Sequence, residues 1–123
     1  MNVNIEYSTI GSFPAYFEDI NNPTNVSIAY TTEKCFITYN NSNYLVSMND
    51  VNDLLKTLSS IRIFELPDIG IGLDGVIYKI KISNGFNSLE FEWWEDTCGE
   101  QWKGLFEFRD KIILLLKKSL KKN

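Results

Sequence analysis

The stretch Glu90-Phe91-Glu92-Trp93-Trp94-Glu95-Asp96, followed by Cys98 and Glu100, gathers the residue types best suited to chemistry in this chain. Two carboxyls ~5–9 Å apart across a sugar-sized cleft would serve a glycosidase, with Glu92 and either Glu95 or Asp96 as the pair. A thiol at a helix N-terminus is activated by the helix dipole, and Cys98 precedes Gly99 where a helix is expected to begin. Both chemistries meet an obstacle in their surroundings. Glu95, Asp96 and Glu100 raise a neighbouring thiol pKa, and no sequence signal marks a cleft. Two readings without catalysis remain for the same residues. In one, Trp93 fills core and Trp94 covers a sheet edge while the carboxylates stand in water. In the other, Trp94 anchors a basic protein partner, steered by Glu90, Glu92, Glu95, Asp96 and Glu100.

Histidine is absent from the chain. Ser-His-Asp and Cys-His catalysis, histidine metal ligation and the usual neutral-pH proton shuttle therefore drop out together. Gly70, Gly72 and Gly75 have the wrong intervals for a dinucleotide fingerprint, and no phosphate-binding loop or calcium-loop spacing occurs. Cys35 and Cys98 lack the CxxC spacing of zinc and thioredoxin-type sites. A single disulfide between them is formally open, although reducing compartments keep such thiols free. Cys35 lies in an alternating run and reads as a small buried hydrophobe. No catalytic residue, metal ligand or cofactor is assigned.

Those residues must be positioned by a chain whose 123 residues are 44% apolar and 14% aromatic, enough for one packed domain spanning residues 1–123. Met1-Asn2-Val3-Asn4 lacks the start of a secretory signal, and no run approaches the ~18 apolar residues of a membrane span. A cytoplasmic protein without membrane contact is the expectation.

Val3, Ile5 and Tyr7 alternate with polar neighbours, the period of a half-buried strand. Gly11 to Asn25, with Pro14 and Pro23, reads as an irregular connection whose Phe13, Tyr16, Phe17 and Ile20 pack down. Val26, Ile28 and Tyr30 form a strand, Thr31 to Lys34 a turn, and Phe36 to Tyr39 its partner. A polar turn from Asn40 to Asn43 leads to a short strand, Tyr44-Leu45-Val46. Ser47 and Asp50 give the S-x-x-D form of a capping box, and Val51, Leu54, Leu55, Leu58 and Ile61 give one helical stripe. Pro67 keeps Ile63 to Leu66 extended, and Asp68 to Leu73 reads as a loop.

After Asp74-Gly75, Val76, Tyr78, Ile80 and Ile82 share one face of a strand opposite Ile77, Lys79, Lys81 and Ser83. Asn84-Gly85 signals a type I′ turn. The returning strand sets Leu89, Phe91 and Trp93 against Ser88, Glu90, Glu92 and Trp94, so that Lys79 and Lys81 oppose Glu90 and Glu92. A second helix is expected from Gly99 or Glu100 to about Leu120. Its stripe is Trp102, Leu105, Phe106, Arg109, Ile112, Ile113, Leu116 and Leu120, widened by Phe108, Leu114 and Leu115. The fold class predicted is α+β: an antiparallel meander sheet of five to six strands with two helices packed on one face. The broad second stripe leaves room for a second copy of the chain, making a homodimer a candidate assembly.

The net charge of −4 is unevenly spread: residues 84–107 hold six acidic residues against Lys103, and residues 109–123 hold six basic residues against Asp110. The basic end complements the helix macrodipole, and the overall acidity opposes binding to nucleic acid or an anionic membrane. Frequent Asn, Ile and Lys fit an AT-rich bacterial genome.

The order Leu73-Asp74-Gly75, strand, returning strand ending Trp93-Trp94, short loop, then Trp102-x-x-Leu105 opening a helix resembles small bacterial α+β proteins of the immunity type found in polymorphic toxin systems. The resemblance spans mainly residues 73–120. Those proteins often carry a proline before the helix-opening Trp, where this chain has Cys98-Gly99-Glu100-Gln101. The resemblance implies a non-enzymatic protein-binding module that blocks a cognate toxin, with the acidic surface suited to a basic nuclease. A small enzyme using carboxylates or Cys98, and a self-associating structural protein, are the competing classes.

Overall fold

The computed structural model describes residues 2–11, 23–63, 68–69, 76–94, 97–98 and 100–121. Outside the described residues lie Phe13 to Ile20, Phe64 to Leu66, Leu73-Asp74-Gly75, and Glu95 with Asp96. The elements run β1 (Val3–Gly11), β2 (Asn25–Tyr30), β3 (Cys35–Tyr39), β4 (Ser42–Val46), α1 (Met48–Ser59), β5 (Asp68–Ile69), β6 (Val76–Asn84), β7 (Asn87–Trp94), β8 (Thr97–Cys98) and α2 (Lys103–Lys121). A 3-10 turn, Glu100–Trp102, leads into α2. The six long strands form one antiparallel sheet in the order β4-β3-β2-β1-β6-β7. Asp68 to Ile69, expected as loop, instead pairs with Thr97 and Cys98 in a separate two-stranded ladder.

Alternation decides which side of the sheet is covered. Ile5 stands opposite both Ile28 and Ile82, Ile28 opposite Ile37, and Tyr7 opposite Val26 and Ile80. These side chains therefore line one face, where they form a common core with Val51 and Leu54 of α1 and Leu105, Phe108, Ile112 and Leu116 of α2. Each such fully buried aliphatic side chain contributes about 1.5–3 kcal/mol. Both helices thus pack on one face of the sheet, the α+β arrangement the pattern predicts. The α2 stripe is centred differently from its prediction. Phe108 is wholly buried and Leu115 nearly so, Phe106 and Ile113 are half-buried, and Leu114 is exposed.

Ser47 caps α1 as predicted, its Oγ accepting the Asp50 N–H at 3.1 Å. The Asp50 carboxylate reaches across to Lys118 Nζ on α2 at 2.9 Å. Near the start of α2, a side chain at Gly104 would meet Ile61 at 3.1 Å, so the chain leaving α1 lies close against α2 there.

The type I′ turn expected at Asn84-Gly85 is found instead at the β3–β4 hairpin, where the sequence gives only a polar turn. Asn40 and Asn41 both have positive φ, 50° and 64°, and link Tyr39 to Ser42, the pattern of a type I′ turn. Asn43 belongs to β4 rather than to the turn, and its Oδ1 accepts the Thr38 hydroxyl at 2.6 Å. The β6–β7 hairpin closes at Asn84 and Asn87, so its central residues are Gly85 and Phe86; only Gly85 has positive φ, which is the II′ pattern. Asn41→Ala forces a Cβ without a compensating side-chain hydrogen bond into the left-handed region, and a loss of about 1 kcal/mol in urea unfolding is expected. Asn41→Gly should match or exceed the parent.

Candidate functional site

The two helices leave the other face of the sheet without cover from the described residues. Register fixes its rows. Glu6, Lys81 and Glu90 stand side by side across β1, β6 and β7, and Ser8, Lys79 and Glu92 form the next row. Beyond them, Ile10, Ile77 and Trp94 align at the end of the sheet. Ile10 is 58% and Ile77 37% exposed, and Trp94 is half-buried.

The predicted site residues are only partly brought together. Glu90, Glu92 and Trp94 share this outer face of β7, the first two exposed. Glu100 sits in the 3-10 turn, exposed and tied to Lys103 Nζ at 2.8 Å. Glu95 and Asp96 lie outside the described residues. Cys98 joins β8 through its backbone, and the α-helix proper begins at Lys103, so the thiol-bearing residue precedes the helix instead of capping it.

The outer face is less acidic than its sequence implies. Glu90 opposes Lys81 in register but forms its ion pair diagonally with Lys79, at 2.6 Å. The hydrogen bond and charge of Lys79 hold the Glu90 carboxyl below its usual pKa, and Glu90 in turn raises that of Lys79. Among the described residues Glu92 has no ion-pair partner within 4 Å, although its charge also helps raise the pKa of Lys79. Glu6, Glu90 and Glu92 against Lys79 and Lys81 leave one net negative charge in the two rows.

Sequence reasoning placed Arg109 in an apolar stripe without a role. Its guanidinium lies 4.8 Å from the Tyr78 ring centre and 5.1 Å from that of Phe106, and it bonds the adjacent Asp110 at 2.8 Å. Cation–π stacking keeps this cation beside the core while its neighbour's carboxylate balances it. Trp93 completes the cluster, 5.5 Å from Tyr78 and 5.7 Å, edge-on, from Phe106. Trp93 Nε1 is buried and has no hydrogen-bond partner among the described residues. The only sequence signal for this cluster is an arginine three residues after an aromatic within an otherwise greasy stripe.

Tyr7, 2% exposed, lies in the field of the same arginine. Burial pushes its phenol well above the usual value near 10, and Arg109 opposes that shift more weakly. The folded state therefore holds a proton that the unfolded chain releases above about pH 10. Stability from this group is complete below pH 10 and falls by about 1.4 kcal/mol per pH unit above it. Tyr7→Phe should flatten the pH dependence of unfolding between about pH 10 and 12 by one proton, measurable by urea titration at each pH.

An open groove of about 620 Å³ separates the outer sides of α1 and α2. Two of its lysines tie the helices together, Lys118 to Asp50 and Lys111 to Thr57 Oγ1 at 2.6 Å, and Lys111 also lies 3.7 Å from Glu107 on its own helix. Among the described residues, no group of three or more His, Cys, Asp or Glu could hold a metal ion, and no helix is long and apolar enough to cross a membrane. Comparison with protein-family models, with curated proteins and with solved structures finds no match.

Proposed function

We propose that this chain is a non-enzymatic protein-binding module of the immunity type, which neutralises a basic toxin through the outer face of β6 and β7. One observation carries the reading: a sheet face that the described residues leave without helical cover presents Ile10 and Ile77 beside the exposed carboxylate of Glu92. Apolar anchors rimmed by charge are what protein interfaces use, the rings and aliphatics for affinity and the charge for steering. The five charged side chains of the outer rows face water in a plane instead of converging on a cavity, which favours docking over catalysis.

The reading is tested by expressing the product of the reading frame beside this chain's own gene in a bacterial host. Growth arrest by that product, relieved by co-expression of this chain, is expected. Glu92→Lys combined with Trp94→Ala should abolish the relief while the circular dichroism spectrum stays that of the parent. Full protection by the double variant, or an adjacent product without toxicity, counts against the proposal.

A further inference from the structure

We infer that β7 recruits its partner by strand addition: an extended segment with basic residues alternating with apolar ones pairs along the free edge of β7 as a seventh strand. The inference rests on the protein-binding reading above and specifies how that binding is achieved. The two-residue β6–β7 hairpin closes on Asn84 and Asn87, so these two exchange both backbone hydrogen bonds. Alternation then directs the N–H and C=O groups of Leu89 and Phe91 toward Ile82 and Ile80 of β6. The corresponding groups of Ser88, Glu90 and Glu92 point away from the sheet, and among the described residues no strand lies beyond β7. Such an edge is a template for another strand.

The side chains decide which strand fits. A partner residue opposite Glu90 or Glu92 lies on the outer face, where a lysine or arginine finds a carboxylate. Residues between them fall on the helix-bearing side, next to Leu89, which is 52% exposed, and half-buried Phe91. Those positions favour Val, Ile or Leu. A second copy of the chain is disfavoured at this edge, because antiparallel pairing of β7 with itself about Phe91 sets Glu90 against Glu92 twice. The opposite edge, β4, carries no charged residue in Ser42–Val46 and gives no such selection.

The test uses a labelled peptide, acetyl-Lys-Val-Lys-Val-Lys-Val-Lys-amide, its glutamate-for-lysine counterpart, and amide hydrogen exchange by NMR on the full chain. Saturable binding of the lysine peptide alone is expected, with exchange at Ser88, Glu90 and Glu92 slowed at least tenfold and exchange at Asn43 and Leu45 of β4 unchanged. Glu92→Lys should weaken binding about tenfold. Glu92→Pro, which removes the outward N–H as well as the carboxylate while sparing the ladder bonds to β6, should go beyond the effect of Glu92→Lys and abolish binding. If the proline variant fails to fold, the lysine variant decides. Equal binding of the two peptides, no saturable binding, or binding without slowed exchange on β7 overturns strand addition. Growth protection by a chain that fails this test leaves the protein-binding reading standing, so the two failures are distinguishable.

Discussion

Phe108→Ala is expected to lower the unfolding free energy by about 3–5 kcal/mol, the cost of an emptied aromatic site in a packed core. Phe108 is fully buried in the middle of α2, between Leu105 and Ile112, and the six-stranded sheet lies beneath them. Domains of this size have about 5–15 kcal/mol in total, so the variant stands near the threshold of folding at 37 °C. Scaled by the entropy of unfolding, the loss is a fall in Tm of about 12–20 °C. Leu114 on the same helix is the control: it is 62% exposed, and Leu114→Ala should cost under about 1 kcal/mol. Urea and thermal unfolding by circular dichroism separate the two. Similar losses for both would show that α2 does not seal the sheet through the Phe108 side, and the assignment of the core would fail with it.

The contrast between Phe108 and Leu114 also marks how far periodicity carries. Strand faces were legible because each long strand has one dry and one wet side, so Ile5, Ile28, Ile80 and Trp93 declare their direction by their polar neighbours. The two helices were legible for the same reason. The α2 stripe reads too wide in the sequence because its apolar residues span more than half the circumference; only packing against α1 and the sheet selects Phe108 over Leu114. Turn types failed differently. Asn84-Gly85 is a strong I′ signal, yet cross-strand register places Gly85-Phe86 at the centre and draws Asn84 into the strand. Strand order was illegible, since alternation says which way a side chain faces but not which strand lies beside it. That order matters to the site: β6 lying next to β1 brings Glu6 beside Lys81, adding a third carboxylate to the two lysines and two glutamates that the hairpin alone sets together. Local sequence named Glu90, Glu92 and Trp94 as one face; it could not supply Ile10 and Ile77, because that row exists only once β1, β6 and β7 are paired.

Trp93 yields the second large effect, and here the size of the substitution reverses the ordinary ranking of losses. Trp93→Ala should cost about 3–5 kcal/mol, since the ring is 3% exposed and contacts Tyr78 and Phe106. Trp93→Phe, which also removes volume from the core, should stay within about 1 kcal/mol of the parent. The reason is the indole N–H: a buried donor without an acceptor costs about 1–3 kcal/mol, and phenylalanine has no such group. Relief of that penalty offsets the smaller ring, while the edge-on contact with Phe106, worth about 0.5–1.5 kcal/mol, is retained. A double-mutant cycle of Trp93→Ala with Phe106→Ala isolates the contact, and a coupling of that size is expected. If Trp93→Phe proves as damaging as Trp93→Ala, the N–H is satisfied by a buried water and the offset argument is wrong. Partner binding separates the roles of the adjacent tryptophans: Trp93 faces the helices and Trp94 the outer side, so Trp93→Phe should leave growth protection intact where Trp94→Ala with Glu92→Lys removes it.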